Sequence, residues 1–222
     1  MCGRYALIQS SEDLAALFEC KGVATHNIPQ YNIAPTQSAP VVCQTAGERR
    51  MVMMRWGLSN VGNIERAPLI NARAETVADK PSFRQAFRRG RCLVPADAFY
   101  EWRKQSGAEG EPFAVARQDR CPFAMAAVRD RVSFTIVTTE ANKTLRPYHH
   151  RMPVIIDEAG WASWLETPES EVLSLREFLV SAPDDFMEAW PISKRINRVA
   201  EDDPALLERV VPQPVLRQTS LF

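Results

Sequence analysis

Sixteen prolines are scattered along this 222-residue chain and divide it into short segments. Proline fixes φ and lacks a backbone donor, so it punctuates helices and central strands instead of continuing them. That pattern predicts many short strands and few helices. β-type segments fall at 40–43, 50–56, 91–94, 99–102, 112–116, 123–128, 132–138 and 153–156. The alternation Val132-Ser133-Phe134-Thr135-Ile136-Val137 predicts a half-buried strand, and Val154-Ile155-Ile156 predicts one buried on both faces. Three helices are expected. The first is capped by Ser10 with Asp13, carries Leu14, Leu17 and Phe18, and stops at Gly22. The second starts at Ser82 with Gln85 as capping partner, buries Phe83 and Phe87, and ends at Gly90. The third follows Thr167-Pro168 and carries Val172, Leu175, Phe178 and Leu179. Strands outnumber helices without alternating regularly with them. The expected fold class is therefore α+β, a single domain of mostly antiparallel, barrel-like twisted sheets with a few flanking helices. The domain should span residues 1–212, and residues 213–222, which lack periodicity, should form a mobile tail.

Charge supplies no whole-molecule attraction for nucleic acid, because 27 basic residues balance 27 acidic ones. Any anion site must be local. Arg84 and Arg88, with Arg89 and Arg91 close by, read as the solvated outer face of the second helix. The five cysteines form an odd set with no C-x-x-C pair, which argues against a disulfide framework or structural zinc and for a reducing compartment. No stretch approaches the ~18 apolar residues of a membrane span, and no secretory leader pattern opens the chain. A soluble cytoplasmic protein is expected, and no motif demands a metal or cofactor.

Chemistry concentrates at unusual polar positions. Removal of Met1 would leave Cys2 with a free α-amine beside its thiol. Such an amine has a pKa of ~7.7–8.0 against ~10.4 for lysine, so far more of it is neutral and nucleophilic at pH 7. An aldehyde meeting both groups can pass through an imine and close into a five-membered thiazolidine, a second step favoured by proximity. Glu101 sits among three aromatics in Phe99-Tyr100-Glu101-Trp102. A carboxylate there is either paired with a cation or held partly neutral by desolvation, and the second state suits proton transfer near neutrality. Asn71, Arg73 and Glu75 alternate along one segment, Tyr31–Thr36 is turn-prone, and His149 and His150 precede Arg151 at the entrance to a buried strand.

Seven motifs in order resemble those of the SOS-response-associated peptidase (SRAP) family. They are Met1-Cys2-Gly3-Arg4-Tyr5, Tyr31-Asn32-Ile33-Ala34-Pro35, Arg55-Trp56-Gly57-Leu58, Ile70-Asn71-Ala72-Arg73-Ala74-Glu75-Thr76, Arg91-Cys92-Leu93-Val94-Pro95-Ala96-Asp97, Phe99-Tyr100-Glu101-Trp102 and His149-His150-Arg151-Met152-Pro153. The resemblance covers nearly the whole chain. It implies a DNA-damage response protein whose partner is single-stranded DNA containing an abasic site. Cys2 would form a thiazolidine cross-link with the ring-opened sugar after removal of Met1, by an aminopeptidase or by the protein's own peptidase activity; lyase activity is also implied. Asn71 would orient Cys2 and sense the sugar, Glu101 would shuttle protons, and His149 would hydrogen-bond the opened sugar. Arg4, Arg73 and Arg151 would hold flanking phosphates, while Asn32 and Pro35 shape the DNA path. The family often carries an aromatic wedge after Trp-Gly-Leu, but Ser59-Asn60-Val61-Gly62-Asn63-Ile64-Glu65-Arg66 has none. That departure puts a preference for single-strand/double-strand junctions in doubt.

The tail Gln218-Thr219-Ser220-Leu221-Phe222 resembles peptides that dock on the bacterial sliding clamp, with Gln218, Leu221 and Phe222 as contacts. The protein should be a monomer, associated with the nucleoid when on DNA. Two alternatives remain. Cys2-Gly3 also opens N-terminal-nucleophile amidohydrolases of the glutamine amidotransferase kind, and the same arginines would serve a non-catalytic single-stranded DNA binder.

Overall fold

The computed structural model describes residues 2–22, 29–59, 67–105 and 108–211. In chain order it runs β1 (Tyr5–Leu7), α1 (Ser11–Leu17), β2 (Gln30–Ile33), β3 (Ser38–Thr45), β4 (Glu48–Trp56), β5 (Asn71–Arg73), α2 (Pro81–Arg89), β6 (Arg91–Ala96), β7 (Ala98–Gln105) and β8 (Ala108–Arg117). There follow β9 (Phe123–Arg129), β10 (Ser133–Glu140), β11 (Arg151–Pro153), β12 (Ile155–Ile156), α3 (Trp161–Glu166) and β13 (Met187–Pro191), with short 3-10 turns between and after them. The strands make two sheets. The smaller has the order β13-β8-β7-β1-β2. In the larger, β4, β3, β6 and β9 follow one another from β10, and β9 pairs back onto β10. That return closes a barrel-like ring, so the α+β fold with mostly antiparallel strands is as expected.

Local chemistry explains several joints. β3 and β4 form a hairpin closed by Ala46 and Gly47, both at positive φ (51° and 80°), with Thr45 opposite Glu48. Two positive φ values match the right-handed twist of the flanking strands. The main core fills the ring and the space beneath the helices. A second cluster (Ala6, Tyr100, Trp190, Ile192, Ile196 and Leu206) lies between the smaller sheet and the C-terminal turns. Among the described residues no helix is long and apolar enough to cross a membrane.

Some expectations are corrected. The Ser10 cap holds, accepting from the Asp13 N–H at 3.0 Å, but the helix ends at Leu17, five residues before Gly22. Ser82 and Gln85 do not cap α2. It begins at Pro81 with Lys80 at the cap position, because proline's fixed φ and absent N–H suit a first helical residue. Gly90 does end α2, and a Cβ there would lie 2.2 Å from the Arg129 carbonyl. The segment after Pro168 is a 3-10 run, Glu169–Phe178, and an α-helix lies just before it at Trp161–Glu166. The alternation at 132–138 does not mark a half-buried strand. Both faces of β10 are covered, so Ser133 and Thr135 on one face are buried like Phe134 and Ile136 on the other. The 153–156 segment divides into β11 and β12, and Ile155 is only half-buried.

Arg91 is the largest correction. It is buried, not solvated, and donates to Phe87 O (3.0 Å), Arg88 O (2.8 Å), Trp164 O (2.6 Å) and Thr167 O. One guanidinium thus satisfies carbonyls at the C-terminal ends of both α2 and α3, where helices leave acceptors unpaired and cations are favoured. Arg91→Leu removes all four hydrogen bonds, and unfolding in urea should show a loss of about 3 kcal/mol or more.

Candidate active site at the amino terminus

β1 threads the amino terminus between β2 and β7, pairing Tyr5 with both Ile33 and Phe99 and Ala6 with Ala98. The Tyr100 N–H donates to Arg4 O at 3.0 Å, which sets the terminal residues beside β7. Cys2 is fully buried, and its carbonyl accepts from Asn71 Nδ2 at 2.8 Å. Asn71 is placed by β5, which runs parallel to β10 with Asn71 opposite Ile136 and Arg73 opposite Thr138. The indole N–H of Trp56 holds the neighbouring Ile70 carbonyl at 2.9 Å, and Tyr5 packs edge-on against Trp56 with ring centroids 5.3 Å apart. Contacts therefore run in a circuit from Cys2 through Asn71, Ile70 and Trp56 back to Tyr5. Among the described residues, Asn71 Oδ1 and the Tyr5 hydroxyl are buried without a hydrogen-bond partner.

Glu101 follows Tyr100 on β7, opposite Phe113 of β8, and is only 4% exposed. Burial pushes its carboxyl up to about 7, with the chain's terminal ammonium acting in the opposite direction. Burial also raises the Cys2 thiol well above its ordinary range, and the charge of Glu101 adds to that rise. Near neutrality this site therefore holds a protonated thiol beside a carboxyl divided between its two protonation states.

His149 closes a turn in which its N–H and that of Tyr148 donate to Leu145 O at 3.1 and 2.9 Å. Its Nδ1 lies 3.0 Å from the Arg151 nitrogen and 3.2 Å from the Arg151 carbonyl oxygen, so the Arg151 backbone fixes the ring's orientation. Burial pushes the imidazole down to about 4, so it is neutral at pH 7. Arg151 itself is buried. Its guanidinium forks onto both oxygens of Glu75, at 2.6 and 3.0 Å, and also donates to Thr138 O. That pairing lowers the Glu75 carboxyl.

The site residues suggested by the sequence are thus arranged unequally. Cys2 and Asn71 touch, and Glu101 acts on Cys2 electrostatically. Arg73 and Glu75 bracket the end of β5, and Glu75 ties that end to Arg151, whose backbone holds His149. Arg4 is half-buried, and its Nη1 donates to Gly3 O at 3.4 Å. Pro35 is half-buried in the turn after β2. Asn32 is buried, and its amide donates to Ile196 O, Arg198 O and Glu201 O at 3.3, 2.9 and 2.9 Å. It stitches the C-terminal segment to β2. Tyr5 was not singled out from sequence, and Glu75 was noted only for its alternation with Asn71 and Arg73, with no role given to it. Gln218, Leu221 and Phe222, and the loop at 60–66, lie outside the described residues.

A fully buried second residue, gripped through its carbonyl and set beside a buried carboxyl, defines a protein built around its amino terminus. The SOS response associated peptidase (SRAP) family model matches residues 1–199, and the chain belongs to that family. The abasic site processing protein YoaM of Bacillus subtilis (strain 168) is 31% identical, over 94% of this chain and 98% of its own length. YedK of Escherichia coli (strain K12), also named an abasic site processing protein, is 28% identical over 95% of this chain and all of its own. The fold is similar to the crystal structure of a Bacteroides thetaiotaomicron protein, with a TM-score of 0.80 and 23% identity over 95% of this chain and all of that one. A Bordetella bronchiseptica protein superposes with a TM-score of 0.74 and 26% identity, over 86% of this chain and all of that one.

Proposed function

We propose that this protein captures abasic sites in single-stranded DNA as a covalent cross-link through Cys2, once Met1 has been removed. The observation that carries the proposal is the 2.8 Å hold of Asn71 on the Cys2 carbonyl beside a buried Glu101 whose carboxyl lies at about 7. The names of the relatives, abasic site processing proteins, supply the substrate class.

Freed of Met1, the α-amine of Cys2 adds to the aldehyde carbon of the opened sugar to give a carbinolamine. Glu101 donates the proton with which the former carbonyl oxygen leaves as water, forming the protonated imine. The Cys2 thiol then gives its proton back to Glu101 and its sulfur to the carbon of the protonated imine, and the C=N electron pair returns to nitrogen, which keeps its N–H. The net change is loss of one water and closure of a thiazolidine. The amine acts first because burial keeps the thiol protonated. The unpartnered Asn71 Oδ1 is the acceptor suited to orient that amine. His149, neutral, hydrogen-bonds an oxygen of the opened sugar. Arg4 and Arg73 contact flanking phosphates, as does Arg151 by exchanging Glu75 for a phosphate, and Pro35 borders the strand. Asn32 acts indirectly, by fixing the segment at 196–201.

Incubation of the mature protein with single-stranded DNA containing one abasic site should give a shifted band that survives boiling in detergent. Intact DNA, or protein retaining Met1, should give none. A chain that binds both DNAs without a heat-resistant band would reduce the activity to non-covalent binding. Removal of Met1 by the protein itself, strand scission as a lyase, a role in the SOS response and action as a cytoplasmic monomer on the nucleoid belong to the same proposal. Residues 1–212 would form the reactive domain. The tail at 213–222 would dock on the sliding clamp, and replacing Leu221 and Phe222 by alanine should abolish clamp binding in a pull-down; unchanged binding would reject that docking.

A further inference from the structure

Most arginines of this chain are held by carboxylates, as Arg49 is by Glu19 and Glu166 and Arg195 by Glu201 and Asp203. Among the described residues Arg4 and Arg73, at the amino-terminal site, make no ion pair. Neither do Arg55, Arg129 and Arg131, which gather elsewhere. In a chain of zero net charge, unpaired arginines mark where an anion would meet the strongest local field.

The second group flanks the start of β10. Arg55 of β4 stands opposite Ser133, and Arg129 of β9 stands opposite Phe134 on the other edge, with Arg131 in the turn between β9 and β10. Beside them opens a cleft of about 890 Å³, lined by Leu58, Ser59, Gln85, Arg89, Arg129 and Arg131 among others. Asp130, the acid nearest in sequence, is occupied within its own turn. It accepts from the Val132 and Ser133 N–H groups at 2.8 and 2.7 Å and from Ser133 Oγ at 2.8 Å. Arg89 is held by Glu169. Arg129 donates from Nη1 to Asp130 O at 3.1 Å, while its Nε is buried without a partner among the described residues.

The cleft aligns with the reactive site. Along β10, Arg129 is opposite residue 134, Asn71 opposite 136 and Arg73 opposite 138, positions that alternate onto one face of the sheet. Asn71 thus stands between Arg73 on one side and Arg129 of the cleft on the other, with residues 134 and 136 roughly 7 Å apart along an extended strand. We propose that this cleft binds the sugar–phosphate backbone of the DNA strand on one side of the reacting nucleotide, with Arg129 and Arg131 as its phosphate ligands. The proposal rests on the DNA-directed function above. Asp130 also lines the cleft, but its oxygens are turned onto the Val132 and Ser133 donors, and neither arginine is ion-paired among the described residues. Two cationic forks thus stay open to phosphodiesters, a contact that carries no sequence information.

The test uses single strands carrying a tetrahydrofuran abasic analogue, which has no aldehyde and so reports binding without cross-linking. Fluorescence anisotropy would compare strands of about five and about fifteen nucleotides, the range of single-strand site sizes. Arg129→Ala with Arg131→Ala should weaken binding of the long strand about tenfold or more and flatten its log–log salt slope by about 0.7 per arginine removed, leaving the short strand unchanged. Arg131 is exposed, so Arg131→Glu alone is the variant that spares the fold, and it should lose affinity in the same length-dependent way. Unchanged affinity and salt slope on the long strand in both variants, or equal losses on both lengths, would overturn the cleft. Wild-type protein that binds these strands yet never cross-links true abasic DNA would instead overturn the proposed reaction.

Discussion

Cys2→Ser, matured to a free amino terminus, should yield at least about a hundredfold less boiling-resistant cross-link than the wild type. The α-amine remains, so the imine still forms. It is not trapped, because the thiol that closes the ring has gone and intramolecular closure contributes the proximity advantage of a neighbouring nucleophile. A hydride reductant such as borohydride converts the imine carbon and nitrogen to a stable secondary amine. Adding it during incubation should therefore restore a heat-stable adduct in Cys2→Ser. The order of events follows from burial, which holds the Cys2 thiol in its protonated form near neutrality. If the serine variant gives no adduct even under reduction, the thiol acts first and the sequence of steps proposed here is wrong.

Glu101→Gln should separate stability from activity. Burial raises the folded carboxyl from 4.5 to about 7, so between those values the folded chain keeps a proton that the unfolded chain releases. Stability therefore falls as pH rises through that window, and above it the cost is fully present, on the order of 3 kcal/mol. Glutamine carries no charge and avoids that cost. At about pH 8 the variant should unfold at higher denaturant concentration than the wild type, and at about pH 4 the two should match, since both side chains are then neutral. Cross-linking should fall ~100-fold or more, the range for loss of a positioned proton donor and acceptor, and its pH profile should lose the inflection near 7. A variant equally fast at neutral pH would remove Glu101 from the chemistry; one no more stable at high pH would mean the carboxylate is well solvated or paired.

The longer strands were legible because proline and short apolar runs mark their ends, and the α+β class followed from counting them. But β1, β2, β5 and β13 were not among the expected segments, and 31–33, read as part of a turn-prone stretch, lies in β2. What lies between neighbouring strands was not legible. The alternation at 132–138 looks half-buried in one dimension, but both faces of β10 are covered in the folded chain, and Ser133 and Thr135 are buried with Phe134 and Ile136. A 3-10 run and an α-helix share apolar spacing of three, so Val172 and Leu175 could not distinguish them. Arg91 reads as one more surface charge until the ends of two helices converge on it from 3 to 76 residues away. At the site, Cys2 and Glu101 drew notice as a reactive terminus and a carboxylate among aromatics, odd choices for a core. Asn32 could not be understood locally, since its amide acts on carbonyls 164 to 169 residues further along. Glu75 was similarly hidden, because its importance is the guanidinium of Arg151, 76 residues on. The arginine cleft is a property of which cations lack partners, and pairing exists only in the folded chain.

The most direct measurement is mass spectrometry of the tryptic amino-terminal peptide after incubation with abasic single-stranded DNA and nuclease digestion. The account requires the peptide Cys2-Gly3-Arg4, lacking Met1, to carry the opened sugar with loss of one water, its thiol no longer alkylatable. A sugar adduct on an internal lysine, or an unmodified Cys2 in protein that has lost Met1, would contradict it.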